Sequence, residues 1–290
     1  MVNTATADIT ETPVPQTHLH EVPYEPQRFP VQGVNVSAMS FDNAVEMLCK
    51  APSQGRKLRV HFAAVHTFVE ASKSAAMRDC LASAEVIAPD GVPLVWYGRR
   101  KGMDMQRVCG PDTMLAVLDR ARDHGGRHFF YGGAPGVAEQ LVSQMTQRYP
   151  GLHVAGVYCP PFRALDDTET DAIVEMIDAS GADYVWVGLG SPKQDLWMQA
   201  MQPRLNASVL LGVGAAFDFH AGLRKRAPLW MQRAGLEWTH RLFSEPRRLA
   251  GRYVTQATWF ARLLISDGFK KAPARGASAQ QSAQGSEVAS

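Results

Sequence analysis

The chain has 290 residues, 46% of them hydrophobic and 20% charged, with a net charge of +2. That composition describes a globular, core-forming protein, excludes a disordered one, and leaves room for one large α/β domain or two halves. Four cysteines, Cys49, Cys80, Cys109 and Cys159, lie far apart with no C-x-x-C pair, which fits a reduced cytosolic protein and argues against a zinc site. The N-terminus lacks a basic stretch followed by an apolar core, and no run of 18 apolar residues occurs. Neither a secretory leader nor a membrane-spanning helix is therefore expected.

Residues 1 to 30 read as a tail, because five prolines among scattered Thr and Glu cannot bury a core. Val31 to Val36 predicts a first strand. Ser40 then caps a helix over Phe41 to Ala51, with Phe41, Ala44, Val45 and Leu48 on one face. Leu58 to Val65 reads as a strand, Thr67 to Ser83 as a helix, and Ala84 to Ala88 as a short strand. Asp90-Gly91 follows at a junction, before a helix-compatible run with Pro93 in its first turn. Pro111 and Asp112 open a helix that runs to about Asp123. The strand His128 to Tyr131 ends in Gly132-Gly133-Ala134-Pro135-Gly136, and a helix covers Val137 to Arg148. Strand Leu152 to Val157, helix Asp166 to Ser180 and strand Tyr184 to Val187 come next. Gly188-Leu189-Gly190-Ser191-Pro192-Lys193-Gln194-Asp195 then leads a helix to about Met201, and the strand Ser208 to Val213 ends in Gly214-Ala215-Ala216-Phe217-Asp218.

Strand and helix thus alternate about six times. This predicts an α/β, Rossmann-like fold over 31–222, with a mostly parallel sheet and helices on both faces. Right-handed connections gather the strand ends, with Asp90, Gly132, Gly188 and Gly214, on one edge where nucleotides or sugar phosphates bind. Residues 223–271 differ. They carry 11 Lys or Arg against three acids, interleaved with Trp230, Trp238, Phe243, Tyr253, Trp259 and Phe260. They read as a helical basic appendage suited to anionic lipid or to phosphates, or as a plain amphipathic cap. Residues 272–290, mostly Ala, Ser, Gln and Gly, read as a disordered tail.

Asp90 has two readings from local pattern: an N-cap, or a reacting group at a strand end. The Gly132–Gly136 loop is neither G-x-G-x-x-G nor Walker A, and a simple turn explains it equally well. Gly188 to Asp195 carries more. Its glycines admit close backbone approach, Lys193 can meet phosphate, and Gln194 can donate to and accept from a sugar. His61, His66, His124, His128, His153 and His220 have no metal-ligand spacing, no D-x-D occurs, and no G-x-S-x-G elbow exists.

Several motifs stand together in order: Ala88-Pro89-Asp90-Gly91-Val92-Pro93-Leu94-Val95-Trp96; Arg107-x-x-Gly110-x-Asp112; Gly132-Gly133-x-Pro135-Gly136; Gly188-x-Gly190-x-Pro192-Lys193-Gln194-Asp195; Gly212-Val213-Gly214-Ala215-Ala216-Phe217-Asp218; Arg226-Ala227-Pro228; Gly235-Leu236-Glu237-Trp238-x-x-Arg241-Leu242; and Glu245-Pro246-x-Arg248. In this register, from about Val31 to Tyr253, the chain resembles the WecG/TagA/CpsF family of bacterial glycosyltransferases. The resemblance implies inverting, metal-independent transfer of a hexose or N-acetylhexosamine. The donor is a UDP-sugar, with no other cofactor, and the acceptor is a polyprenyl-diphosphate-linked sugar. The product belongs to cell-surface polysaccharide or exopolysaccharide. It implies a peripheral enzyme on the inner face of the cytoplasmic membrane, possible homo-oligomers and no nucleic-acid partner.

Carried onto this sequence, the resemblance makes Asp90 the base. It places His66, Thr67, Gly91, Arg107, Asp112, Gly132, Gly133, Gly188, Gly190, Lys193, Gln194, Asp195, Gly214 and Asp218 at the donor. Arg224, Arg226, Arg241 and Arg248 are assigned to phosphate or acceptor, with the appendage docking on the membrane. Two positions depart from the family pattern. Ala64 stands where an Asn is usual, so a donor hydrogen bond is lost or is supplied by His66 and Thr67; Asp195 replaces a longer Glu. A catalytically impaired nucleotide-sugar-binding protein on the membrane surface is the alternative that Ala64 supports. A nicotinamide oxidoreductase is a poorer one, since no acid stands at a ribose position.

Overall fold

The computed structural model describes residues 23–244 and 246–268, without the side chains of residues 233, 241, 244 and 248. The 272–290 stretch and most of the N-terminal stretch read as a tail lie outside the described residues.

The chain enters through a hairpin. Strands β1 (Gln27–Val31) and β2 (Val34–Ala38) pair antiparallel in full register. Between them Gln32 and Gly33 take φ of 48° and 86°, the backbone that a two-residue hairpin turn requires. The single strand expected over Val31 to Val36 is thus two half-strands folded on Gln32-Gly33, and β1 begins inside the stretch read as tail. Phe29, Val31, Val34 and Val36 all face inward. The Ile87 amide donates to Ser37 Oγ at 3.3 Å, which anchors the hairpin to the main body.

Helix α1 (Phe41–Lys50) starts on Ser40, whose Oγ accepts from the Asn43 amide. Strand β3 (Leu58–Ala63) follows. The helix expected from Thr67 to Ser83 is two helices, α2 (Val65–Lys73) and α3 (Ala75–Ala82). Ser74 breaks it: its backbone is extended and its Oγ accepts from the Met77 amide at 3.2 Å, capping α3. The apolar period continues on both sides of Ser74, which is why the break is invisible to periodicity. Next come β4 (Val86–Pro89), α4 (Val92–Arg100), α5 (Gly110–Arg120), β5 (Arg127–Gly132), α6 (Val137–Arg148), β6 (His153–Tyr158), α7 (Asp167–Ala179), β7 (Tyr184–Gly188), α8 (Lys193–Met201), β8 (Val209–Gly212) and α9 (Ala216–His220). Asp166 and Glu169 form a reciprocal capping box on α7.

Six strands form one parallel sheet in the order β4-β3-β8-β7-β5-β6. Both faces are covered. Val45, Leu48, Leu118, Leu141 and Phe217 pack on one side, and Ile173, Ile177, Met198 and Met201 on the other. The central strands are accordingly apolar throughout, with Val185, Trp186 and Val187 sealed from solvent. His128 is buried here as well. It accepts from Trp186 Nε1 at 3.2 Å and stacks on Tyr184, and burial pushes its imidazole down to about 3. From β3 the chain turns toward β4, and from β5 toward β6 on the opposite side. The loops at their carboxyl ends therefore diverge and open a crevice above β8 and β7.

The C-terminal segment forms α10 (Leu229–Arg233), α11 (Glu237–Ser244) and the long α12 (Pro246–Gly268). Helix α12 folds back on the body: Trp259 stacks on Phe68 at 5.8 Å, Phe260 meets Trp96 and Tyr97, and Lys101 pairs with Asp267. Among the described residues no helix is long and apolar enough to cross a membrane.

Candidate active site

Asp90 and Gly91 leave β4 at the lip of the crevice. Both amides donate to the Ala63 carbonyl, at 2.9 and 3.3 Å, so the ends of β3 and β4 are locked together. Glycine suits this close approach: a Cβ at Gly91 would lie about 3.0 Å from the Ala64 Cβ. Helix α4 takes Gly91 as its N-cap, without a side-chain cap bond. The N-cap reading of Asp90 is thereby corrected, because its carboxylate turns to Arg107 instead.

Arg107 donates from Nε to the Asp90 carbonyl at 2.6 Å and from Nη2 to Asp90 Oδ1 at 3.0 Å. The same Nη2 donates to Glu237 Oε2 at 3.0 Å. Glu237 accepts on its other oxygen from Arg226 Nε at 3.0 Å, and Arg226 forks onto both oxygens of Asp112. Cys109 donates its thiol to Asp112 Oδ2 at 2.8 Å. Asp90, Arg107, Glu237, Arg226 and Asp112 thus form one alternating chain of charge. Burial alone would raise the Glu237 and Asp112 carboxyls; the guanidinium bonds outweigh it and hold both below the usual range. Burial, then the charge of Asp90, pushes the Cys109 thiol far up, so it stays protonated.

Two chambers meet in the crevice. The larger, about 910 Å³, is walled by His66, Thr67, Asp90, Ser191, Gln194, Asp195 and Gly214, with His240, Arg252, Tyr253 and Gln256 added by the appendage. The smaller, about 570 Å³, is walled by Tyr131, Gly133, Phe162, Thr170, Gly188, Lys193, Trp197 and Asp218. Gly190, Gly214, Ala215 and Arg224 border both. Arg224 Nε lies 3.3 Å from Asp218 Oδ2.

The expected site residues divide between these walls and the scaffold behind them. Gln194 Oε1 accepts from the Gly190 amide at 3.0 Å, so this side chain shapes the loop as well as lining the chamber. Asp195 is buried and accepts from His61 Nδ1 at 2.6 Å and from Ser191 Oγ at 2.5 Å; its shorter side chain braces the loop against β3. Gly132 and Gly188 sit where β5 and β7 nearly touch. A Cβ on Gly132 would fall 2.9 Å from the Gly188 carbonyl carbon, and the Gly133 amide donates to the Gly188 oxygen. These glycines serve packing, and the Gly133 amide is already engaged. Gly91, Gly132, Arg107, Asp112 and Arg226 lie off both chamber walls. The side chains of Arg241 and Arg248 lie outside the described residues.

Ala64 is the N-cap residue of α2. Its side chain has no acceptor to offer, and its own amide donates to Thr67 Oγ1 at 3.1 Å. Sequence reasoning missed Glu237, Cys109 and the aromatic wall of the smaller chamber, where Tyr131 and Trp197 stack at 4.1 Å. Glu237 had a signal, being one of three acids in a basic segment. Among the described residues no three of His, Cys, Asp and Glu converge as a metal site.

A parallel α/β sheet with a two-chambered crevice at its carboxyl edge defines a Rossmann-like fold. The family model for WecG/TagA/CpsF glycosyl transferases matches residues 29–274, and the chain belongs to this family of glycosyltransferases. A Bacillus spizizenii protein described as N-acetylglucosaminyldiphosphoundecaprenol N-acetyl-beta-D-mannosaminyltransferase is 33% identical over 180 residues, covering 62% of this chain and 68% of that relative.

Proposed function

We propose that this glycosyltransferase moves a hexose or N-acetylhexosamine, with inversion, from a UDP-sugar to a polyprenyl-diphosphate-linked sugar during cell-surface polysaccharide synthesis. The acceptor named for the Bacillus relative, a diphosphoundecaprenol bearing N-acetylglucosamine, is the natural first candidate here. The observation that carries the reading is Asp90. It stands at a strand end, on the wall of the larger chamber, with Arg107 to balance its charge.

The nucleoside fits the smaller chamber, where Phe162 and Trp197 offer apolar faces and Thr170 and Asp218 polar groups. The diphosphate then falls at the junction, beside Arg224 and Lys193. These cations meet the negative charge that grows on the leaving UDP. The sugar reaches the larger chamber, between His66, Thr67 and Gln194. An acceptor hydroxyl entering there gives its proton to Asp90 as its oxygen attacks the anomeric carbon and the bond to UDP breaks. The appendage exposes Leu229, Trp230, Phe243 and Val254 among its basic residues, a surface suited to the membrane that holds a lipid acceptor. On this reading the enzyme is peripheral on the inner face of the cytoplasmic membrane.

The test is UDP release from a panel of UDP-sugars, with and without polyprenyl-diphosphate N-acetylglucosamine and with a chelator present. Acceptor-dependent release with one donor is expected. Release that ignores the acceptor, or its abolition by the chelator, contradicts the reading.

A further inference from the structure

We propose that Glu237 is a positioning residue. By sharing Arg107 with Asp90, this appendage carboxylate keeps the base from being over-stabilised by its own counter-ion. The inference rests on Asp90 being the base, as proposed above.

The geometry is specific. Arg107 Nη2 sits between two carboxylates, 3.0 Å from Asp90 Oδ1 and 3.0 Å from Glu237 Oε2. Glu237 is nearly buried and its two oxygens face two different guanidiniums, so it is not a rim charge with a solvent shell. A base held by an undivided guanidinium is a poor base, because the ion pair favours the anion and that preference is lost when the proton arrives. Glu237 draws part of that charge away. Arg226, behind it, in turn divides Glu237 and is itself divided by Asp112.

Other charges face the same space. Cys109 lies beside Arg107 and is protonated. His66 enters from α2, His240 from α11 and Arg252 from α12. Arg224 and Lys225 enter after α9, and Asp195 from α8 is engaged by His61 and Ser191. Of these, Glu237 is the acid that shares a donor atom with Asp90. It also comes from the appendage, 130 residues along the chain from Arg107. Docking of α11 therefore delivers the charge that tunes the base.

The sign of the effect separates this role from a structural one. Glu237→Gln removes a negative charge near Asp90, which favours the Asp90 anion. The acid limb of kcat against pH should move to lower pH by about half a unit, and the plateau should fall by up to about threefold as the base weakens. Donor KM should change by less than about threefold, since Glu237 lines neither chamber. Arg226→Gln removes a positive charge from the far side and should move the limb to higher pH. Glu237→Asp keeps the charge and should leave the limb near its wild-type position. Thermal unfolding of each variant reports folding, and the Arg226→Gln and Glu237→Asp pair carries the test if Glu237→Gln is poorly folded. Unmoved acid limbs in Glu237→Gln and Arg226→Gln, with Asp90→Asn inactive in the same assay, would overturn the role of Glu237 alone. If Asp90→Asn keeps near-normal turnover, the base assignment and this inference fall together.

Discussion

The sheet and the appendage are held by different forces. In the sheet, Trp186, Phe130 and Leu211 are fully enclosed, and helices press on both faces. In the appendage, Phe243 is 83% exposed and Val254 67%, while Leu249 and Leu263 are among the few apolar side chains that bury. Its grip includes aromatic contacts on α2 and α4 and the ion pairs of Arg226, Glu237 and Asp267. The lesson is a division of labour: packing in the sheet decides where Asp90, Gln194 and the glycine loops stand, and the appendage adds Glu237 and Arg226 to the charges beside Asp90.

Substitutions in the two regions should therefore separate stability from function. Trp186→Ala, at the sheet centre, should cost about 3–5 kcal/mol, because a large enclosed side chain leaves a cavity that the neighbours cannot fill. Urea unfolding checks this, and a loss under about 1 kcal/mol would break the comparison at its strongest point.

Next in size is a pH effect confined to the sheet. The His128 imidazole is held down at about 3 by burial, whereas in the unfolded chain it titrates near its ordinary 6.5. The unfolded state then binds a proton that the native state refuses. Stability should fall as pH drops below about 6.5, by about 1.4 kcal/mol per unit for this group, until about pH 3. His220, also lowered by burial, adds in the same direction. The depressed carboxyls of Asp112 and Glu237 act only at lower pH, below their unfolded values near 4, where protonation removes their ion pairs. Urea midpoints between pH 7 and pH 5 isolate the histidine part. A flat profile there would show that His128 is accessible to protons.

The smallest stability change belongs to the appendage. Phe243→Ser should alter the unfolding free energy by no more than about 0.5 kcal/mol, as for other exposed positions. The same variant should bind anionic vesicles less tightly in flotation, since the exposed ring is available to lipid. Unchanged vesicle binding would remove Phe243 from the docking surface.

Much of the sheet domain is legible in the sequence because its signals are local. Alternating apolar runs and glycine-ended strands mark the parallel units, and Asp90-Gly91, Lys193 and Gln194 can be placed at strand ends from their motifs. The hairpin at Gln32-Gly33 is missed because a turn of two residues hides inside one apolar run. The break at Ser74 depends on a cap that periodicity does not register. The strand order, which opens the crevice, depends on pairings far apart in the chain, such as Arg59 with Leu210. The charge chain is hidden for the same reason: Arg107 and Glu237 meet only after the fold brings α11 over the end of β4. The resemblance assigned Arg107 to the donor and Arg226 to phosphate or acceptor; in the fold Arg107 pairs with Asp90 on the chamber wall and with Glu237, and Arg226 pairs with Glu237 and Asp112.

Asp90 is the residue proposed to perform the proton transfer. The most direct test compares wild type with Asp90→Asn for UDP release in the presence of a polyprenyl-diphosphate-linked acceptor, with thermal shift by UDP as a control for folding and donor binding. An unchanged thermal shift and a fall in turnover of about a thousandfold are expected. Turnover within tenfold of wild type, with the same thermal shift, would contradict that role and place the base elsewhere on the chamber wall.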